Sequence, residues 1–231
     1  FDLDGTLLDI DMNAFLLDYF RLIAQMAEER DFGNGKELVA QIWRSTDVMI
    51  HEHSPDMFNE EIFMSDFLAH WGRPEHEVRP FFDEFYEKVY PRLYYHGKEF
   101  PLVPQLVREI IEQGYQVVIA TQSVFPRTAI QERMDWAGVG HYPYSYVTCY
   151  ENMHYCKPYV DYYLEIAKNI GVVPEECIMV GNDTGEDLPA GKIGMQTYLI
   201  EDRLIDKEPV SCEPDWRGTW SELFELLKKN A

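Results

Sequence analysis

The sequence predicts an α/β fold, a doubly wound and mostly parallel sheet, with a block of helices inserted just after the first strand. Three observations carry this. From residue 104 onward, short β-branched apolar runs alternate with helical patterns, as right-handed crossovers between parallel strands require. Between residues 11 and 97, amphipathic helices follow one another with no strand between them. Ahead of both stands Phe1-Asp2-Leu3-Asp4-Gly5-Thr6-Leu7-Leu8-Asp9, which reads as the end of a strand running into a sharp glycine turn.

In that first stretch side chains alternate, so Asp2 and Asp4 project from the same side with Cα atoms about 7 Å apart. Two carboxylates then face the carboxyl end of a strand, where open α/β sheets hold their ligands. The plain alternative is an Asp-Gly turn with no further meaning. Only Phe1 precedes Asp2, whereas a buried central strand wants four or more apolar residues before its turn, so residues are expected upstream.

Met12 to Arg30 places apolar residues at helical spacing on one face and predicts an amphipathic helix, broken by Gly33-Asn34-Gly35. Leu38, Ile42, Trp43, Met49 and Ile50 predict a second helix. Ser54-Pro55-Asp56 reads as a cap opening a third, and Pro80 as the start of a fourth that Pro91 stops. The aromatic residues of this block read mostly as core. Beyond it, Pro104 to Gln113 is helical and ended by Gly114, Tyr115 to Ala120 is a buried strand, and Pro126 to Ala137 is helical. Tyr146 to Cys149 is a strand, Pro158 to Asn169 a helix, Cys177 to Val180 a strand and Asp187 to Ile193 a short helix. Thr197 to Ile200 completes the strands, and Ser221 caps a last helix through Lys229.

The chain is long enough to bury a sizeable core, and 46% apolar residues indicate a folded globular protein. A formal net charge of −21 argues against nucleic acid and anionic membrane as partners, because the summed field repels polyanions. Any anion site must therefore be made attractive locally, by a metal ion and a few placed cations. The four cysteines, Cys149, Cys156, Cys177 and Cys212, lack zinc-finger spacing and read as reduced thiols of a cytoplasmic protein. There is no membrane-length apolar run and no visible signal peptide.

Each strand can be asked what it delivers at its carboxyl end. Ala120-Thr121-Gln122-Ser123 brings hydroxyls and backbone N–H groups suited to phosphate oxygens, although Ser123 fits a helix cap equally well. Cys156-Lys157-Pro158 sets a lysine just before a helix, where a solvated surface lysine is the plain alternative. Gly181-Asn182-Asp183-Thr184-Gly185-Glu186-Asp187 carries two acids four residues apart, which as a lone feature is an Asx turn and cap. Asp2, Asp4, Asp183 and Asp187 crowded in one cleft would repel one another, and a hard divalent cation with oxygen ligands relieves this; the pattern suits Mg²⁺.

Taken in order, these stretches resemble the four motifs of the haloacid dehalogenase-like (HAD) hydrolases, in the phosphatase branch with a helical cap inserted after the first motif. The resemblance runs the length of the chain. It implies a Rossmann-like core of residues 1–10 and 98–231, and a cap of residues 11–97. It further implies a Mg²⁺-dependent phosphatase acting on a small phosphorylated metabolite through an aspartyl-phosphate. Asp2 is then the nucleophile and Asp4 the general acid/base. Thr121, Gln122 and Lys157 bind the phosphoryl group; Asp2, Asp4 (through its backbone carbonyl) and Asp183 hold the metal, with Asp187 orienting them. Dehalogenases carry a different residue at the position of Asp4, since halide leaves without a proton. Departures are Gln122 where relatives often carry Asn, Tyr159 after Lys157-Pro158, and a segment from Asp187 to Met195 one residue short. Arg44, His51 and His53 are candidates for substrate contact from the cap, each set against an ordinary solvated role. The alternatives are a β-phosphoglucomutase-like phosphomutase, a phosphonatase using Lys36, and a non-catalytic module that binds phosphate or Mg²⁺.

Overall fold

The computed structural model describes residues 1–207 and 212–230, with no account of the side chains of 228–230. Its seam is a two-residue extended piece, Phe1–Asp2. Phe1 N–H donates to Val118 O (2.8 Å) and Phe1 O accepts from Ala120 N (2.7 Å), while Asp2 N donates to Val180 O (2.8 Å). Two residues thereby join two small parallel sheets into one layer. On one side lie β3 (Val118–Ile119) and β4 (Tyr146–Val147); on the other lie β5 (Ile178–Gly181), β6 (Gln196–Ile200) and β7 (Trp216–Gly218). The predicted strand at the start is present as this two-residue rung, and Leu3, Leu7 and Leu8 beyond it are fully buried.

Helices α5 (Val103–Glu112), α6 (Arg127–Trp136), α7 (Val160–Ile170) and α8 (Trp220–Asn230) connect and flank these strands, as the alternating pattern predicts. The short helix after Asp187 is present as a tight three-residue-per-turn stretch, Leu188–Ile193, with Pro189 in its first turn. The last helix begins one residue before the predicted cap. Thr219, not Ser221, precedes it, and its N–H and hydroxyl both bind the Glu222 carboxylate (2.8 and 2.9 Å). Strand β7 was not anticipated, because Trp216-Arg217-Gly218 is too short and polar to signal a strand.

The helical block is bracketed by an antiparallel pair, β1 (Leu8–Ile10) and β2 (Gly97–Glu99), which brings its two ends together. Within it, α1 (Met12–Glu29) is capped by Asp11, and α2 (Gly35–His51) by Asn34. Two predicted starts moved. Helix α3 (Asn59–Trp71) begins after Phe58 rather than at Ser54, with Phe58 N–H held by the Glu61 carboxylate (2.7 Å). Helix α4 (Glu75–Glu84) follows Pro74 and contains Pro80, where a start had been expected. It does not stop at Pro91 either. Ahead of that ring the helix widens into an i, i+5 turn, Phe85–Val89, then tightens over Tyr90–His96, relieving the clash that a proline imposes on the carbonyl four residues before it.

The start of α3 is also where the block locks onto the sheet layer. Asn59 is fully buried; its N–H donates to Met153 O (2.8 Å), and its side-chain amide donates to Ser123 Oγ (3.0 Å) and Tyr155 O (3.3 Å). Ser123 passes its own proton to Tyr155 O (2.9 Å), so it neither caps α6 nor faces the cleft. An aromatic cluster reinforces the junction, with Tyr90 stacked on Trp136 (5.7 Å) and Tyr19 edge-on to Phe125 (5.6 Å).

Gly5 turns the chain out of the seam at φ +82°, and a methyl group there would overlap the Asn182 amide. Gly5→Ala is therefore expected to lower unfolding stability by about 1–3 kcal/mol, read by urea denaturation; an unchanged midpoint would contradict this packing.

Candidate active site

The seam delivers Asp2 and Asp4 to the wall of a cavity of about 1050 Å³ that lies between the sheet layer and the helical block. Thr121, at the end of β3, and Asp183 and Asp187, after β5, line the same cavity. Behind that wall Lys157, 1% exposed, sets its ammonium between two carboxylates, Asp2 Oδ1 at 2.9 Å and Asp187 Oδ1 at 2.7 Å. Burial alone would push that ammonium down. Asp187 and Asp2 more than offset it, holding Lys157 well above the ordinary lysine range. Burial likewise raises Asp2, to about 7; Lys157 opposes the rise, and Asp187 and Asp4 add to it.

Each member is held by its surroundings. Gln122 clamps the Lys157 backbone from both sides, its Oε1 accepting from Lys157 N and its Nε2 donating to Lys157 O (both 3.0 Å). The amide expected to touch phosphate is thus engaged in placing the lysine, although Gln122 still lines the cavity. The Thr121 carbonyl accepts from Tyr162 OH (2.7 Å) and Thr148 Oγ1 (2.8 Å), which fixes the backbone beneath its side chain. Asp187 Oδ2 accepts from Asp183 N (2.9 Å), and Gly181 has no Cβ that would collide with the Asp187 carboxylate. Asp183 Oδ1 accepts from Gly185 N (2.8 Å) and Glu186 N (3.1 Å), the Asx turn that the sequence allowed, while Oδ2 meets Lys207 Nζ at 2.7 Å.

Asp4 has a partner that the sequence did not announce. Arg133, buried to 1% exposure on α6, donates to Asp4 Oδ2 (2.8 Å), and its guanidinium lies over the Phe125 ring (4.4 Å). Burial raises the Asp4 carboxyl and Arg133 lowers it; the net direction is upward. A signal did exist: Arg133 falls on the same face of α6 as Ala129, Ile130 and Ala137, where core residues belong. Asn182 was also missed as a support. Its Oδ1 accepts from Thr6 Oγ1 (2.8 Å) and its Nδ2 donates to Arg203 O (2.7 Å), tying the turn at Thr6 to the segments that follow β5 and β6.

The candidates from the helical block are not brought to the site. Arg44 turns outward to His70 (2.9 Å), His51 pairs with Asp47 on the surface, and His53 packs edge-on to Tyr159 (4.0 Å). Residues at neighbouring helical phases, Trp43, Thr46 and Ile50, line the cavity instead, together with Arg79 from α4.

The donors suit a hard divalent cation. They are oxygens only, and the raised Asp2 is a carboxyl that positive charge would return to its anionic form. Among the described residues no three His, Cys, Asp or Glu side chains converge as a cage. The set that the family resemblance implies is of another kind, two carboxylates completed by a backbone carbonyl.

The amino-acid pattern matches the model of the haloacid dehalogenase-like hydrolases over residues 1–193. The chain belongs to that family. No curated protein matches it. Among solved structures it is similar to a HAD phosphatase from Thermococcus onnurineus, at 16% identity and a TM-score of 0.59, covering 98% of this chain and 95% of that one. It is similar also to the L-2-haloacid dehalogenase of Xanthobacter autotrophicus, at 15% identity and a TM-score of 0.56, covering 100% and 97%. A third likeness is to a HAD-hydrolase structure from Bacillus subtilis bound to magnesium, at 15% identity, a TM-score of 0.55 and coverage of 98% and 96%. At these identities the likeness concerns the fold: a HAD-type α/β core beneath a helical cap. No helix among the described residues is long and apolar enough to cross a membrane.

Two outcomes check the electrostatics. In metal-free protein the Asp2 carboxyl should titrate near 7 by carbon-13 NMR. Because that value lies above the unfolded one, Asp2 favours the fold fully below the unfolded pKa, and the contribution is lost as pH rises through about 7; a midpoint in the ordinary carboxylate range would contradict the burial. Arg133→Met should cost about 3–5 kcal/mol in denaturant unfolding, since it strands Asp4 without its buried partner; a loss below about 1 kcal/mol would show the pair to be dispensable.

Proposed function

We propose that this HAD hydrolase is a Mg²⁺-dependent phosphatase that cleaves a small phosphate monoester through an aspartyl-phosphate on Asp2. The observation that carries the reading is the buried group of Asp2, Lys157 and Asp187, with Asp4 beside it on its own buried arginine. An Asp2 oxygen attacks phosphorus, the bond from phosphorus to the ester oxygen breaks, and Asp4 supplies the proton that lets the alcohol leave. Asp4, now anionic, takes a proton from a water whose oxygen attacks the phosphoryl group. The bond to Asp2 breaks, and inorganic phosphate departs.

Arg133 fits this role for Asp4. It pins Oδ2 and leaves Oδ1, which has no partner among the described residues, to carry the travelling proton. The upward direction of Asp4 suits an acid that must be protonated when the alcohol leaves. Lys157 and the backbone N–H groups after Asp2 and Thr121 would hold the phosphoryl oxygens, where charge stabilisation dominates such reactions. Asp2, the carbonyl of Asp4 and Asp183 would hold Mg²⁺, with Asp187 orienting the group. When bound, the ion neutralises charge on the phosphoryl group, and Lys207 would leave Asp183 Oδ2 for Glu186, its other partner at 3.0 Å. Asp4 also separates this chain from the halide-releasing branch, which has no use for a proton donor there.

A small metabolite is the partner we assign, because the helical block roofs the cavity and would exclude a folded phosphoprotein. The thiols of Cys149, Cys156 and Cys177 support a reducing, cytoplasmic setting.

The test is release of inorganic phosphate from a panel of phosphate monoesters with Mg²⁺. Wild-type protein should turn over, EDTA should stop it, and Asp2→Asn should lose about a thousandfold or more while keeping its thermal midpoint within a few degrees. Near-normal activity of a folded Asp2→Asn protein would refute the assignment.

A further inference from the structure

The cavity extends well beyond the carboxylates, and its outer part has a composition of its own. The helical block lines it with Leu16, Phe20, Trp43, Phe63, Phe82 and Tyr86, an apolar and largely aromatic wall. Facing rings of this kind recognise a flat or aliphatic ring by area, and Tyr86 has already satisfied its hydroxyl on Tyr19 (2.9 Å), so it presents mainly carbon.

The cations of the lining are all committed. Arg79 bonds Glu60 and also reaches Glu75 (2.5 Å); Arg203 meets Asp9 (2.5 Å); Lys207 sits on Asp183 (2.7 Å) and Glu186 (3.0 Å). Among the described residues, Asp83 and Glu87 at the rim have no cationic partner. Lys157 stands behind the lining and is itself shared between Asp2 and Asp187. A carboxylate or second phosphate on the alcohol part of the substrate would therefore find no unspent positive charge. It would meet an apolar surface under a negative rim, in a chain of net charge −21.

We propose that the site selects phosphate monoesters whose alcohol part is an apolar ring, neutral or cationic, and discriminates against those bearing a second anion. This rests on the phosphatase reading and narrows it. Phosphoglycolate-like and bisphosphorylated compounds fall outside the preferred class. A mutase needing a bisphosphate activator is disfavoured for the same reason.

The experiment compares phenyl phosphate with 4-carboxyphenyl phosphate and 4-(aminomethyl)phenyl phosphate, the last two being similar in size and opposite in the charge of the added group. With Mg²⁺, kcat/KM for the carboxy ester should be about tenfold or more below that for phenyl phosphate, with the aminomethyl ester at least equal to phenyl. The carboxyl group makes its phenol a slightly better leaving group, so intrinsic reactivity works against the expected carboxy penalty, and comparison of the two substituted esters carries the charge effect. Reversing the rim with Asp83→Lys and Glu87→Lys together should shrink the carboxy penalty several-fold. Calorimetric binding of phenylphosphonate and 4-carboxyphenylphosphonate asks the same question without turnover. Hydrolysis of none of the esters, with phenylphosphonate still bound more tightly than its carboxy analogue, would sink the phosphatase reading and leave the preference standing. Equal or better use of the carboxy compounds, in either measurement, would overturn the preference.

Discussion

One buried ammonium holds the arrangement together. Lys157 joins Asp2, at the start of the chain, to Asp187, far along it, and lies just ahead of α7. Placing a lysine and two carboxylates in a site of low polarity costs far more than surface pairing returns, so such a group persists only where geometry pairs it fully. Here the fold supplies that geometry from three directions. The two-residue rung at Phe1–Asp2 fixes the first carboxylate between β3 and β5, the Gln122 clamp fixes the lysine backbone, and the absence of a side chain at Gly181 lets Asp187 approach. Removal of any of these supports strands charge inside the protein.

The same economy explains the second pair. Asp4 lies two residues from Asp2, is likewise raised by burial, and receives a different partner. Arg133 stays charged whatever the pH of the cell, so Asp4 is never left alone in the cavity, while burial still moves its carboxyl upward. Two neighbouring acids thus differ in what is packed behind them, a lysine shared with Asp187 for one and an arginine for the other. Phe125 covers the guanidinium and lines the cavity, so this support stands behind an aromatic wall rather than in the cleft.

Much of this could be read from the sequence, and the reasons are physical. Apolar β-branched runs end at Ala120 and Val180, so polar residues following them must lie at the carboxyl edge of a sheet. That places Thr121, Asp183 and Asp187 without any knowledge of side-chain angles. What escaped depends on helical phase and on tertiary rescue. Arg44 lies one position, about 100° of rotation, from Trp43, and that step separates solvent from cavity. Arg133 belongs to the core face of α6, and its partner Asp4 lies at the other end of the sequence. Pro80 and Pro91 read as a start and a stop, whereas the helix absorbs the first and widens ahead of the second. Asn59 gave no sign of its role, because its partners Ser123 and Tyr155 lie far along the chain.

The central claim is that the Asp2 carboxylate, held on Lys157, becomes phosphorylated. Acid quenching during turnover followed by borohydride reduction converts an aspartyl-phosphate into homoserine, and peptide mass spectrometry locates it. The account predicts homoserine at Asp2, dependent on both substrate and Mg²⁺, and none at Asp4. Steady turnover with no reducible acyl phosphate at Asp2, or with the label on another residue, would contradict it.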